Sequence, residues 1–152
     1  MGGAVGGEGG AGGEAGAGAG GEGGAGGIGP FVVINEVQST GDTPDFVEFY
    51  NAGDAVADLT GWYFTDDTPN TYAFPSGTTL APGAFLAVQQ ANGGMDFGLN
   101  GTDGVFFYDP SNVLMDEWDY DVHQDTGGRC PDGTGDFENG LDATLAAANA
   151  CP

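Results

Sequence analysis

Chemistry in this chain would have to come from its carboxylates: 152 residues hold 16 Asp and 7 Glu against one Arg, no Lys and one His. Hard cations such as calcium take oxygen ligands, and Asp66-Asp67, Asp103, Asp109, Asp116 and the loop Asp132-Gly133-Thr134-Gly135-Asp136 supply them among turn residues. That loop reads first as a tight turn closed by Asx-type hydrogen bonds, with a calcium ion held by Asp132 and Asp136 as the functional alternative. It is not an EF-hand, since it lacks Asp or Asn at its third position and Glu at its twelfth. Paired acids could cleave glycosides, but that needs a cleft, and a small domain with short loops has little room for one. Nucleophilic catalysis is poorly served. Ser39, Ser76 and Ser111 lie in no G-x-S-x-G elbow, and His123, between Asp121 and Asp125, reads as a histidine whose pKa is raised by neighbouring carboxylates on an exposed strand end. One His and two Cys do not make a four-ligand zinc site. No catalytic set and no organic cofactor are expected.

The formal charge of −22 decides against two classes of partner. One Arg cannot neutralise a phosphate backbone or dock on an anionic membrane, so a protein or a cell-surface component is the expected partner. No stretch approaches the roughly 18 apolar residues of a spanning helix. The acids read as a solvated shell whose self-repulsion shrinks as salt screens it.

The two cysteines, Cys130 and Cys151, belong to no C-x-x-C pair. They read as one disulfide pinning the C-terminal tail, contributing roughly 3 kcal/mol in the chain-entropy model. Two free thiols in a reducing cytosol are the alternative. A disulfide implies a secreted or cell-surface protein, with an export signal expected upstream of Met1, because the sequence opens with neither a basic nor an apolar leader region.

The elements that must position these groups begin after a compositional break. Residues 1–29 hold 17 of the 32 Gly, six Ala and three Glu; with so little side-chain surface to bury they read as a disordered linker. Residues 30–152 read as one domain. Turn signals recur there at Asn51-Ala52-Gly53, Asp66 to Asn70, Pro75-Ser76-Gly77, Pro82-Gly83, Asn92-Gly93-Gly94, Asn100-Gly101, Asp109-Pro110 and Asp132-Gly133, between short runs rich in Val, Phe, Tyr, Trp and Thr. That spacing predicts an all-β sandwich or barrel. Alternation places Val47 and Phe49 opposite Glu48 and Tyr50, and Leu86 and Val88 opposite Ala87 and Gln89. It also places Leu114, Trp118, Tyr120 and Val122 opposite Glu117, Asp119 and Asp121, with Asp116 out of step, which predicts a bulge or a strand bend. Trp62 and Trp118 are expected in the core, and the Ala-rich stretch 142–150 is expected to form a turn or two of helix.

A series of motifs then carries a resemblance: Ile34-Asn35-Glu36-Val37, Asp45 to Asn51, Asp58-Leu59-Thr60-Gly61-Trp62, Tyr72-Ala73-Phe74-Pro75, Leu80-Ala81-Pro82-Gly83, Phe97-Gly98-Leu99-Asn100, Val105 to Tyr108, Gly128 to Gly135, and the closing Ala148-Asn149. In this order, over residues 31 to about 150, they resemble the lamin tail domain family. The resemblance implies an immunoglobulin-like sandwich and a protein-binding or scaffold role, often behind a Gly-rich spacer in bacterial members, with no catalytic residues to carry over. Thr144-Leu145-Ala146-Ala147 stands where the family has Thr-Pro-Gly-x. Arg129, inside a matched motif, is expected to pair with Glu48 or Glu36 and so anchor the closing segment to the sheet.

Three functions fit this reading: a non-catalytic surface or secreted module displayed on the Gly-rich arm; a structural subunit whose Gly/Ala arms pack against one another; or an accessory domain of a secreted hydrolase.

Overall fold

A strand buried on both faces needs a layer on each side, and β1 (Val32–Gln38) is buried along its whole length. The computed structural model explains why. It describes residues 27–41, 44–122 and 126–152. The linker expected over residues 1–29 lies, apart from 27–29, outside the described residues, and so does His123.

Ten further strands follow: β2 (Phe46–Asn51), β3 (Ala57–Asp58), β4 (Tyr63–Thr65), β5 (Thr71–Ala73), β6 (Thr79–Leu80), β7 (Phe85–Gln89), β8 (Asp103–Tyr108), β9 (Leu114–Tyr120), β10 (Thr126–Cys130) and β11 (Asp136–Leu141). They form a five-stranded sheet in the order β11-β10-β1-β2-β7, a four-stranded sheet β5-β4-β8-β9 and the short pair β3-β6. Every pairing is antiparallel. Among the described residues there is no helix.

Alternation builds the core between the layers. Val32, Ile34 and Val37 of β1, Val47 and Phe49 of β2 and Val88 of β7 meet Phe64 of β4 and Val105 and Phe107 of β8. Phe49 is the centre. Its ring lies 5.4 Å from Phe64, 5.2 Å from Phe74 and 4.7 Å from Phe107, in the tilted and edge-on arrangements that aromatic quadrupoles favour. Trp118 is buried and stacks on Phe137 at 4.3 Å. Trp62 is only half-buried and packs on the core's rim, 5.0 Å from Phe107.

Three register shifts interrupt the ladders among the described residues, and those in β1 and β9 matter below. In β1, Ile34 pairs with Phe49 and Glu36 with Glu48, so Asn35 is an extra residue without a partner in the ladder; Asn35 and Glu36 thereby share the face away from the core. In β9, Leu114 pairs with Tyr108 and Asp116 with Phe107, so Met115 is the extra residue. Of the bulge or bend expected at Asp116, the strand has the bulge. It turns Asp116 to the inner side with Trp118 and leaves Leu114 exposed, contrary to its expected place in the apolar row; Val122, past the strand's end, is exposed too.

Candidate functional site

Glu36 and Glu48 face each other across the β1/β2 ladder on the outer face of the five-stranded sheet, and both are 0 % exposed. What covers them is the chain's own C-terminal segment, residues 142–152. The stretch expected to be helical is an extended strap with one turn at Leu145-Ala146, because its backbone N–H groups are claimed by the sheet's carboxylates instead of by a helical ladder. Glu36 accepts from the Thr144 amide through Oε1 and from its hydroxyl through Oε2, each at 2.8 Å. Glu48 accepts from the Ala146 amide at 2.6 Å and from Asn35 Nδ2 at 3.2 Å.

Asn35 and Asp132 extend the network. Asn35 Nδ2 also donates to Asp132 Oδ1 at 2.9 Å, and its Oδ1 accepts from the Gly133 amide at 2.9 Å. Asp132 Oδ1 takes a further bond from the Asn149 amide at 3.0 Å, while Asn149 Nδ2 donates to the carbonyls of Asn35 and Arg129. The Cys130–Cys151 disulfide, with Cα atoms 5.5 Å apart, closes the strap onto β10.

The Arg129 side chain takes no part in this clamp. Successive residues of β10 point to opposite faces: a Cβ on Gly128 would press on Asn149 of the strap, and Cys130 bonds to Cys151, whereas Gly127 faces Trp118 and Arg129 points inward with it. Arg129 therefore cannot reach Glu36 or Glu48. It pairs with Asp116 of the opposite sheet, Nη2 donating to Oδ1 at 2.9 Å and Oδ2 at 3.0 Å. Its Nε donates to the Ile34 carbonyl and its Nη1 to the Gly135 carbonyl, and its guanidinium lies 4.5 Å from the centre of the Phe137 ring. Asp116 Oδ2 accepts in turn from the Ile34 amide at 2.8 Å. The expected anchor of the closing segment is thus a bolt between the two sheets, and Glu36 and Glu48 hold the segment directly.

The clamp gathers Glu36, Glu48 and Asp132 while the chain's one Arg lies on the far side of the sheet. Burial raises the pKa of Glu36, opposed by its bonds from Thr144. Burial pushes Glu48 up to about 8, against the bond from Asn35 and with help from the charge of Glu36. Below 4.5 Glu48 is protonated in both folded and unfolded chains. Between pH 4.5 and 8 the unfolded chain sheds this proton and the folded one keeps it, so folding stability falls as pH rises through that window, by on the order of a few kcal/mol. Urea titrations from pH 5 to 8 are expected to show that decline, and Glu48→Gln, which cannot titrate, to flatten it whatever its stability at any one pH. An unchanged slope in the variant would remove Glu48 as the source.

The strap's turn carries a second expectation. Ala146 has φ +56°, the left-handed region that costs an L-residue roughly 1–2 kcal/mol, and it occupies the position where the resembling pattern has Gly. Ala146→Gly is expected to keep the fold and gain up to about 1 kcal/mol after the entropic cost of Gly, read as a raised melting temperature.

Asp132 and Asp136, the candidate calcium ligands, separate in role. Asp132 is bonded within the clamp, and Asp136 opens β11 as an exposed residue opposite Cys130. Among the described residues no three His, Cys, Asp or Glu side chains are grouped so as to hold a metal ion. Asn35, Asp116, Thr144 and Asn149 are the site residues that spacing did not reveal. The signal for Asn35 was present: two adjacent polar residues, Asn35-Glu36, interrupt an apolar run inside a buried strand.

A sequence profile of the lamin tail domain matches residues 29–122. The chain belongs to the lamin tail domain family. The matched span, more than half of the chain, covers β1 to β9 of an immunoglobulin-like, all-β domain. It stops before β10, β11 and the strap, so Thr144 and Ala146, the strap residues that hold Glu36 and Glu48, lie beyond it, whereas the motif resemblance runs over residues 31 to about 150. No curated protein matches the chain. As a lamin tail domain the fold is compatible with a non-catalytic binding or scaffold module.

Proposed function

We propose that this lamin tail domain is a non-catalytic binding or scaffold module, secreted or held at the cell surface, with residues 1–29 as its spacer. The carrying observation is the closed strap. The buried acids that could have served as general acid and base are occupied by the backbone of residues 144–149, so a substrate would have to displace a segment fixed by Cys130–Cys151. A disulfide supports an oxidising compartment. The charge of −22 supports protein or cell-surface partners over nucleic acid and anionic membrane.

Differential alkylation of the native protein, quenched in acid before and after reduction, tests the compartment. Cys130 and Cys151 are expected to be blocked before reduction, with the protein in the medium or removed from intact cells by a broad-specificity protease; trypsin has only Arg129 to cut. Two reactive thiols in a protein recovered from the cytosol would overturn the reading.

A further inference from the structure

The sheet edges at β5 and β7 carry a different kind of surface. β5 is one edge of the four-stranded sheet and β7 one edge of the five-stranded sheet, and between them lies a cavity of about 270 Å³. None of the residues lining it is charged, in a chain with 23 acids. Neither an anion nor a cation finds a counter-charge inside, and an anion must also approach through a strongly negative field.

Its walls offer two things. Tyr72 and Phe74, edge to face at 5.4 Å, and Leu86 supply aromatic and aliphatic surface. Gln89 and Asn92 supply side-chain amides, linked by a long 3.4 Å bond from Asn92 Nδ2 to Gln89 Oε1 that a ligand hydroxyl can replace. The sheet edge adds a main-chain pair. The Asn51 amide bonds the Ala84 carbonyl and the Gln90 amide the Asp45 carbonyl, so even-numbered residues of β7 point their backbone groups at β2 and odd-numbered ones point to the open edge. The 91–94 turn folds back over Gln89, where a Cβ on Gly94 would overlap the Gln89 carbonyl, and this leaves Ala87 as the rung that opens on the cavity. One rung is too short to template an added strand. It suits a small ligand with closely spaced hydroxyls.

We infer that this cavity between β5 and β7 is a binding site for neutral saccharide units, one or two pyranose rings in size. The C–H faces of a sugar ring match Tyr72, Phe74 and Leu86, its hydroxyls match Gln89, Asn92 and the Ala87 backbone, and its lack of charge matches the lining. The volume lies just below the range of about 300–1,000 Å³ for drug-sized pockets. This gives the module proposed above a ligand class, and it rests on that reading only for the compartment in which the sugar is met.

The test is a titration of the isotope-labelled protein with glucose, cellobiose, maltose and chitobiose, followed by amide chemical shifts, beside trigalacturonate and an uncharged extended peptide. At least one neutral sugar is expected to bind at millimolar concentration, with shifts confined to Tyr72, Ala87, Gln89 and Asn92 and their neighbours. Gln89→Ala is expected to weaken it about tenfold. Asn92→Gly, which removes the amide at a residue whose φ of +61° Gly accepts without strain, is expected to do the same with the melting temperature held. Overturning results are no shift with any neutral sugar, shifts elsewhere, unchanged affinity in both variants, or equal or tighter binding of trigalacturonate or the peptide. Sugar binding without export, or export without sugar binding, separates the failure of one reading from that of the other.

Discussion

Replacing Arg129 with Met is expected to cost about 3 kcal/mol of folding stability, close to what breaking a buried ion pair costs and a large share of the 5–15 kcal/mol that holds a typical domain. The loss comes from what is left behind. Arg129 and Asp116 have side chains 18 % and 14 % exposed, so an unpaired Asp116 carboxylate stays in a place from which water is largely excluded, and the Ile34 and Gly135 carbonyls lose their donors. Asp116→Leu alone is expected to cost less than Arg129→Met, because Arg129 keeps both carbonyls and the Phe137 ring. The double variant is expected to recover part of the sum, as apolar replacements of buried pairs do. Equilibrium denaturation of the four proteins gives the coupling energy. A loss below about 0.5 kcal/mol for Arg129→Met, the scale of an exposed pair, would show that the sheets are joined by apolar packing alone.

Gly127→Val is expected to be at least as damaging, with a loss of about 3 kcal/mol or more. A Cβ at residue 127 would overlap the indole of Trp118, which is pressed from its other neighbours by Phe137 at 4.3 Å and Tyr120 at 4.8 Å. Overpacking of this kind forces side chains off their rotamers and shifts backbone, and here the backbone is β10, which carries Arg129 and Cys130. Near-ultraviolet circular dichroism, which reports the tryptophans, is expected to change with the melting temperature. A companion Gly127→Ala variant keeps the test readable if the Val chain does not fold: it is expected to lose about 1–3 kcal/mol, and full stability there would mean that Trp118 has room to yield.

The parts of this fold that alternation could show are those where one face is wet or one residue breaks step. Val47 and Phe49, Leu86 and Val88, and Trp118 and Tyr120 announced an all-β core, and Asp116 announced a bulge. The consequences of a bulge are another matter, since a single extra residue changes which face every later side chain takes. Alternation puts Leu114 inside and the bulge turns it out, and Asp116, the residue out of step, is the partner of Arg129. The clamp was half legible. Glu36, Glu48, Asp132 and Asn149 all lie in motifs that pointed to the family, but pairing a carboxylate with an arginine is a rule about charge, and this domain satisfies its buried acids with main-chain amides 98 to 108 residues away in sequence. The tail misled because Ala favours helix, and that preference yields where Glu36 and Glu48 draw off the amides of Thr144 and Ala146.

The closure by Cys151 has a bearing on orientation. β10 runs antiparallel to β1, with Gly128 beside Glu36 and Thr126 beside Gln38, so Cys130, and with it the chain's last residues, lies near the end of the sandwich at which the backbone enters β1. Head and tail of the domain share one pole. The opposite pole holds the turn between β7 and β8 that includes Asn92 and Gly93, so a fusion or immobilisation at residue 152 loads β10 through a covalent link and leaves the rim of the saccharide cavity unobstructed.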